Sequence, residues 1–193
     1  MIPIKLHFES VDGSALLMNS ERGVNSLDEL TLQKKPINAK KHLKTESDYE
    51  KLKRLDFESA IYFDDSKGPF IPALNILACL RDGAKKQRLG KTFLSAIFMA
   101  ADIPLEYDGP RTINGLYAKK QFVDYRPVKV GTSKVMKCRP KFEKWGITFI
   151  LEYDETVINK TQLLQAAGEA GRYCGICDFR PQYGRFTVTE ITS

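Results

Sequence analysis

Alternating apolar and polar residues open the chain. In the segment Ile2–Phe8, isoleucine, leucine and phenylalanine occupy every second position, opposite Lys5 and His7. This period of two predicts a half-buried β-strand. A turn signal, Val-Asp-Gly, follows at residues 11–13, and we expect Ala15–Met18 to pair back on the first strand as its hairpin partner.

The last third of the chain carries the clearest pattern. Ile147–Tyr153 is apolar, β-branched and aromatic, which predicts a buried strand. A helix capped by Asn159 or Thr161 should follow. The glycine- and arginine-rich segment 171–185 predicts a surface loop with an exposed backbone, and residues 186–191 a final strand. These parts suit either a parallel strand pair joined by a helical crossover or a split βαβ unit around a central strand.

The middle of the chain mixes several patterns. Residues 19–45 are polar and lysine-rich, which predicts a mobile insertion with at most one short helical turn. Ser47–Leu55 has the Ser-x-x-Glu spacing of a capping box and predicts a short helix, and Pro72–Ala84 predicts a helix with one apolar face. Further strands are expected at residues 57–63, 93–101, 117–130 and 134–138, although alanines leave a helix open at 93–101.

Length and composition fit one folded domain. With 193 residues, 42% of them hydrophobic, the chain can bury a core as a single domain spanning residues 1–193. No apolar run approaches the ~20 residues of a membrane span, and the first residues lack the pattern of a signal peptide. Four cysteines without such a signal favour a reducing compartment. We therefore expect a cytoplasmic protein with no membrane partner.

Positive charge is concentrated in two places. The net charge is +6, with an isoelectric point near 9.1. Residues 31–45 hold five lysines and no acid, and residues 111–144 hold ten lysines or arginines against two acids. Such clusters beside aromatic residues are typical of polyanion binding, although a solubilising surface is the alternative. The candidate residues are Lys34, Lys35, Lys40, Lys41 and Lys44 in the insertion, and Arg126, Lys129, Lys134, Lys137 and Arg139 in a basic hairpin at about 117–138.

The glycine-rich loop adds a third candidate cluster. Arg172, Arg180 and Arg185 lie there near Tyr183 and other aromatic residues. A guanidinium group offers a planar donor fork to phosphate, and an aromatic ring offers a platform to an unpaired base. The alternative is a structural loop with a solvated basic rim.

The sequence offers little for catalysis or metal binding. His7 and His42 lie far apart, and neither has the setting of a Ser or Cys triad. Cys174 and Cys177 form one lone C-x-x-C pair, whereas a zinc site needs four ligands and a redox motif should open a helix. We expect no catalytic residue, no cofactor and no metal, with a nuclease as the least favoured reading.

The C-terminal segment resembles a known superfamily. The ending AGEAGRYCGICDFRPQYGRFTVTEI is similar to the glycine-rich loop and final strand of the RAMP superfamily, which includes the RNA-binding backbone subunits of CRISPR effector complexes. The strand and helix at 147–170 and the early strand Ile2–Phe8 also fit the core of that superfamily. The chain further resembles small bacteriophage proteins that share its R-P-x-x-G-R-F segment.

The resemblance implies an α+β, ferredoxin-like (RRM-like) antiparallel sheet with helices on one face and basic insertions. It also implies non-catalytic, sequence-independent binding of single-stranded RNA or DNA, with RNA favoured, by proteins that assemble side by side. Arg172, Arg180 and Arg185 match the superfamily's loop by position. The alternative is a phage protein-interaction module that mimics or inhibits a host nucleic-acid-guided defence complex. Both readings place the protein in the cytoplasm of a bacterium or phage-infected host, self-associated or in a protein complex.

Overall fold

The computed structural model describes residues 1–192 and is mixed α+β, which confirms that part of the predicted fold class. The strands are β1 Ile2–Ser10, β2 Leu16–Leu17, β3 Phe63–Asp64, β4 Gly68–Ile71, β5 Ile97–Phe98, β6 Ile103–Pro104, β7 Val123–Val130, β8 Ser133–Phe142, β9 Gly146–Tyr153 and β10 Phe186–Glu190. The helices are α1 Glu29–Ala39, α2 Glu46–Ala60, α3 Ala73–Ala84, α4 Gly90–Ala96, α5 Ile113–Ala118 and α6 Lys160–Glu169. Short 3-10 turns lie at Glu21–Gly23, Lys41–Leu43, Lys85–Gln87 and Lys120–Phe122, and α6 continues into a π-helical turn, Ala170–Cys174.

A four-stranded antiparallel sheet, in the order β10-β1-β9-β5, holds the core. One face is apolar because alternate residues of neighbouring strands point the same way: Leu6 pairs with Phe149, and Phe8 pairs with Ile147. These residues belong to a single buried cluster with residues of α3 and α6, two helices that pack on each other. The opposite face of β1 and β9 is polar and includes His7, whose Nδ1 lies 2.9 Å from the Thr148 hydroxyl.

Two smaller sheets flank the core. One has the order β2-β8-β7 and the other β3-β4-β6. Leu16 of β2 pairs with Phe142 of β8, so the expected pairing of Ala15–Met18 with the first strand is wrong. The basic hairpin is present, but its strands lie at 123–130 and 133–142. The predicted first strand began at residue 117, whereas residues 117–118 belong to α5 and residues 120–122 to a 3-10 turn.

Two of the predicted strands, at 57–63 and 93–101, are helical over their first four residues. Residues 57–60 belong to α2, which is longer than predicted, and residues 93–96 belong to α4. In the first, Phe57, Ala60 and Ile61 are buried, which is the i, i+3, i+4 spacing of a helix. Thr45, and not Ser47, caps α2, and its hydroxyl accepts a hydrogen bond from the Asp48 N–H. The apolar face predicted for α3 is buried at Ile76, Leu80 and Ala84, whereas Leu77 is half-buried and Leu74 is 77% exposed.

The lysine-rich insertion is also helical. Residues 29–39 form α1, which packs on α2, so the prediction of a mobile segment with one short turn is wrong. Asp28 caps α1 by accepting from the Leu30 N–H, and Ile37 is buried. No helix among residues 1–192 is long and apolar enough to cross a membrane.

Candidate nucleic-acid interface

The two basic segments meet in one cleft. A cavity of about 500 Å³ lies between α1, α2 and the β7–β8 hairpin, and we call it the lysine cleft. Five lysines and one acid line it, namely Lys34, Lys35, Lys44, Lys53, Lys137 and Asp56. Tyr49, Tyr125, Val135 and Met136 supply its apolar surface. The fold thus joins Lys34, Lys35 and Lys44 of the insertion with Lys137 of the hairpin, as a shared polyanion site requires.

Two of these lysines serve the fold. Lys34 is buried, and its Nζ lies 2.8 Å from Asp56 Oδ1 and 2.6 Å from the Ser59 hydroxyl. Lys137 Nζ lies 3.5 Å from the same carboxylate oxygen. Asp56 therefore offsets charge at the floor of the cleft, and Lys34 cannot reach a ligand without breaking this ion pair.

The other three lysines have no carboxylate within ion-pair distance in the described part of the chain. Lys35 donates to the Ser26 carbonyl at 3.2 Å, and Lys44 donates to the Lys41 carbonyl at 2.9 Å. The Lys53 ammonium lies 5.1 Å from the centre of the Tyr125 ring. Their charges remain available to an anion, because a carbonyl or a ring face leaves the net charge of the ammonium group in place.

Exposed aromatic rings stand beside these charges. Tyr49 is 52% exposed and Tyr125 is 43% exposed. Tyr49 and Lys53 lie one helical turn apart on α2, so both reach the same side of the helix. The sequence analysis did not identify Tyr49 or Lys53 as site residues. A usable signal was present, because an aromatic residue and a lysine lie four residues apart on a predicted helix.

The four other predicted lysines lie outside the cleft lining. Lys40 Nζ lies 2.7 Å from Asp48 Oδ1 and helps to hold the start of α2. Lys41 is exposed in the turn that follows α1. Lys129 and Lys134 are exposed and face each other across the hairpin, next to its turn. The two facing ammonium groups concentrate positive charge at this end of the hairpin. Like charges at directly opposed positions destabilise a sheet.

Arg126 and Arg139 point away from the cleft, toward the glycine-rich loop. Arg126 Nε lies 2.7 Å from Asp124 Oδ1, and its Nη1 donates to the Tyr183 hydroxyl at 2.7 Å. Arg139 is buried, and its Nε lies 3.0 Å from Asp178 Oδ2. These contacts fasten the hairpin to the loop. Arg126, Arg139 and Tyr183, all candidate phosphate or base contacts, therefore act as structural links.

The glycine-rich loop is exposed at residues 179–182, but Gly175, Ile176 and Gly184 are buried, so the expectation of a surface loop with exposed backbone is correct only in part. Its backbone bonds to the segment after β1, with the Gly184 N–H donating to the Ala15 carbonyl and the Asp178 N–H donating to the Leu17 carbonyl. Gly184 has φ +70°, and a Cβ there would lie 2.0 Å from the Ile176 carbonyl oxygen. Only glycine fits that position, so this glycine is explained by packing within the chain.

The loop arginines are spread out. Arg180 Nη1 lies 3.6 Å from Asp82 Oδ2, and Arg185 Nε donates to the Pro181 carbonyl at 2.7 Å. Arg172 is exposed. Arg172 and Arg185 line a groove of about 460 Å³ beside β10, which shares no lining residue with the lysine cleft.

The cysteine thiols are poorly suited to nucleophilic or metal chemistry. Burial raises the pKa of Cys138 and of Cys177 to about 12, and it also raises the pKa values of Cys79 and Cys174. Thiolate, the reactive and ligating form, is therefore disfavoured at neutral pH. Within residues 1–192, no group of three or more His, Cys, Asp or Glu side chains is placed to hold a metal ion.

No family model and no curated protein matches this chain significantly.

Proposed function

We propose that the lysine cleft binds single-stranded nucleic acid, RNA in preference, without catalysis and without reading sequence. The proposal rests on one observation: Lys35, Lys44 and Lys53, which have no acidic partner among residues 1–192, share a cleft with two exposed tyrosines. Phosphate contacts from lysine supply affinity that does not depend on base identity.

The tyrosines favour a single strand over a duplex. Bases of a single strand are unstacked and can lie on aromatic rings, whereas bases inside a duplex cannot. Every base has such a face, so stacking on Tyr49 or Tyr125 would tolerate any sequence. A positively charged groove that carries aromatic rings is the usual combination in proteins that bind single strands.

The sheet topology is compatible with the resemblance to the RAMP superfamily. The four strands of the central sheet follow one another along the chain as β1, β5, β9 and β10. Helix α3 precedes β5, and helix α6 precedes β10. If the strands are numbered 1 to 4 along the chain, they lie side by side in the order 4-1-3-2. We propose that these elements form a ferredoxin-like core, in which the split βαβ units interleave. The lysine cleft would then be built from insertions, with side-by-side self-association along a strand as part of the same proposal.

The test is the salt dependence of binding. Fluorescence anisotropy with labelled oligouridine and oligocytidine should give similar affinities that fall steeply with salt, and a DNA strand of equal length should bind more weakly. Each phosphate contact adds about 0.7 to the slope of log affinity against log salt for a single strand. The triple variant Lys35→Ala, Lys44→Ala, Lys53→Ala should therefore reduce that slope by about 2.

A matched control separates the cleft from net charge. Lys67, Lys91 and Lys120 are exposed and lie outside the cleft, so replacing all three by alanine removes the same charge. The control should keep the wild-type slope. Absent or salt-insensitive binding, or an equal loss in the control, contradicts the proposal, and a chain that ignores all three probes would favour a protein-interaction module.

A further inference from the structure

Strand β10 lies at the end of the central sheet and pairs only with β1. The Val11 N–H donates to the Arg185 carbonyl, and the Ile191 N–H donates to the Lys5 carbonyl. In an antiparallel pair, the backbone groups of alternate residues face the same neighbour. Since residues 185 and 191 face β1, the N–H and C=O groups of Val188 and Glu190 point away from the sheet.

The π-helical turn covers the start of this edge, where Gly171 packs on the Phe186 carbonyl, but the edge beyond Phe186 lacks the usual protection against strand addition. Sheets are commonly protected by very short end strands, or by proline and lysine on the edge. The end strands β2, β3, β5 and β6 have two residues each, and the end strand β7 carries Pro127 and Lys129. By contrast, β10 has the sequence FTVTE over five residues, β-branched at its centre and free of both proline and lysine.

A groove runs along the unprotected edge. It holds about 460 Å³ and is bounded by Gly168 and Arg172 at the end of α6, and by Arg185 and Val188 on the strand side. Gly168 is exposed and presents no side chain that could fill the groove. No acid is among the lining residues, and Arg172 makes no ion pair with any other residue that the structure describes.

We propose that β10 and this groove form a β-strand-addition site for an extended, acidic segment of a partner protein. The outward N–H and C=O groups of Val188 and Glu190 bond the backbone of the added strand. Arg172 and Arg185 bind its carboxylates. In this mode the main-chain bonds supply affinity, and contacts to alternate side chains supply specificity.

A second copy of this chain fits the groove less well. Antiparallel pairing of two β10 strands centred on Val188 would set each Arg185 opposite Ile191 of the other copy, so Arg185 would gain no carboxylate partner. Glu190, the single acid of the strand, already lies 2.6 Å from Lys160 Nζ. The charge of the groove therefore favours an acidic segment from another protein.

The test uses the full chain and a displayed library of random peptides. Selected peptides should alternate β-branched residues and carry Asp or Glu, and their synthetic forms should shift the backbone amide signals of Val188 and Glu190 in NMR spectra. Val188→Pro removes the outward N–H and leaves every hydrogen bond between β10 and β1 in place. Proline is tolerated at such an edge position. Val188→Pro should abolish binding, whereas Val188→Ala, which keeps the N–H, should retain it.

Arg172→Glu provides a second variant that does not touch the sheet. It should weaken the acidic peptides about tenfold or more, because like charges then face each other. It remains decisive if Val188→Pro does not fold. Selection of no acidic peptide, or amide shifts confined to other strands, would overturn the proposal. So would concentration-dependent dimerisation that Val188→Pro abolishes, since the occupant would then be a second copy.

Discussion

The ammonium group of Lys34 lies 2.8 Å from the carboxylate of Asp56, with both side chains largely buried between α1 and α2. The two side chains are only 10% and 14% exposed. Because of this ion pair, Lys34 and Lys35 have different roles. Lys34 stabilises the packing of the insertion, whereas Lys35, one residue later, faces outward and is a candidate phosphate contact.

Replacing Lys34 by alanine should destabilise the protein. Losing one partner of a buried ion pair typically costs about 3–5 kcal/mol. We expect about 2 kcal/mol, below that range, because Lys137 still lies near Asp56. Urea unfolding followed by circular dichroism measures the change. Lys35→Ala is the matched control and should alter the free energy of unfolding by no more than about 0.5 kcal/mol, so equal losses in both variants would contradict this assignment.

Tyr49→Ala should weaken binding of oligouridine without changing its salt dependence. Loss of one stacked base costs about 1–3 kcal/mol, which is about 5- to 150-fold in affinity. Tyr49→Phe keeps the ring and should bind as the wild type does. Fluorescence anisotropy at several salt concentrations separates the two effects, because a lost phosphate contact would instead lower the slope. An unchanged affinity in Tyr49→Ala would remove this ring from the proposed interface.

The start of α2 should weaken in acid through Asp48. A hydrogen bond from Lys40, followed by one from the Thr45 backbone, lowers the pKa of Asp48 to about 2 from its usual 3.8. A carboxyl whose pKa is lowered by folding stabilises the folded state above its unfolded pKa, and that contribution disappears as the pH falls toward the folded value. The stability difference between the wild type and Asp48→Asn should therefore be constant above about pH 5 and shrink between about pH 4 and 2. Denaturant midpoints measured across this range test it, and a difference that stays constant down to pH 2 would refute it.

Arg126→Ala should loosen the glycine-rich loop. It leaves the Asp124 carboxylate buried, at 6% exposure, without its partner, which costs about 3 kcal/mol. It also removes the donor to Tyr183, so backbone amides of residues 176–184 should exchange faster with deuterium. Tyr183→Phe removes only the hydroxyl and should cost about 1 kcal/mol. Slow exchange that persists in Arg126→Ala would show that the hairpin does not hold the loop.

The cysteines should react slowly in the folded protein. Because burial raises the pKa of Cys177 to about 12 from its usual 9.0, its thiolate population at about pH 8 falls about a thousandfold. With iodoacetamide under native conditions, Cys174 should be modified before Cys79 and Cys138, because it is partly exposed and they are buried. Mass spectrometry of peptides identifies the site, and denatured protein, in which all four should react, is the control. Rapid native labelling of Cys177 would mean that Cys174 and Cys177 form a reactive pair.

Local periodicity was sufficient for the half-buried strands. β1 lies where the alternating pattern predicts it, because a strand with one buried face requires apolar residues at every second position. β9 and β10 also form where strands were predicted, but β9 was expected to be buried from its apolar run and instead exposes Ile150. The same signal failed at α2 and α4. Phe57 and Ile61 fit an alternating pattern, but with Ala60 they also form a helical face, and the short apolar stretch allowed both readings.

The lysine cleft could be predicted only in part. Charge counts identified both contributing segments, yet Asp56, which neutralises the lysines at its floor, belongs to a third segment. The helical state of α1 depends on Ile37 and on the ion pair of Lys34, and a polar composition conceals both. Tertiary contacts therefore determine which lysines remain available to bind an anion, and no local sequence pattern contains those contacts.

The central position of β1 has a consequence for synthesis. This strand precedes its partners β9 and β10, which begin at Gly146 and Phe186, so it is synthesised well before them. Contacts so distant along the chain are slow to form, because a long loop must close before they contribute. Until then the apolar side of β1 has no sheet to join, and a nascent chain exposes it to other hydrophobic surfaces. Substitutions that slow the arrival of β9 should therefore lower the soluble yield in cells more than they lower the equilibrium stability of the finished protein.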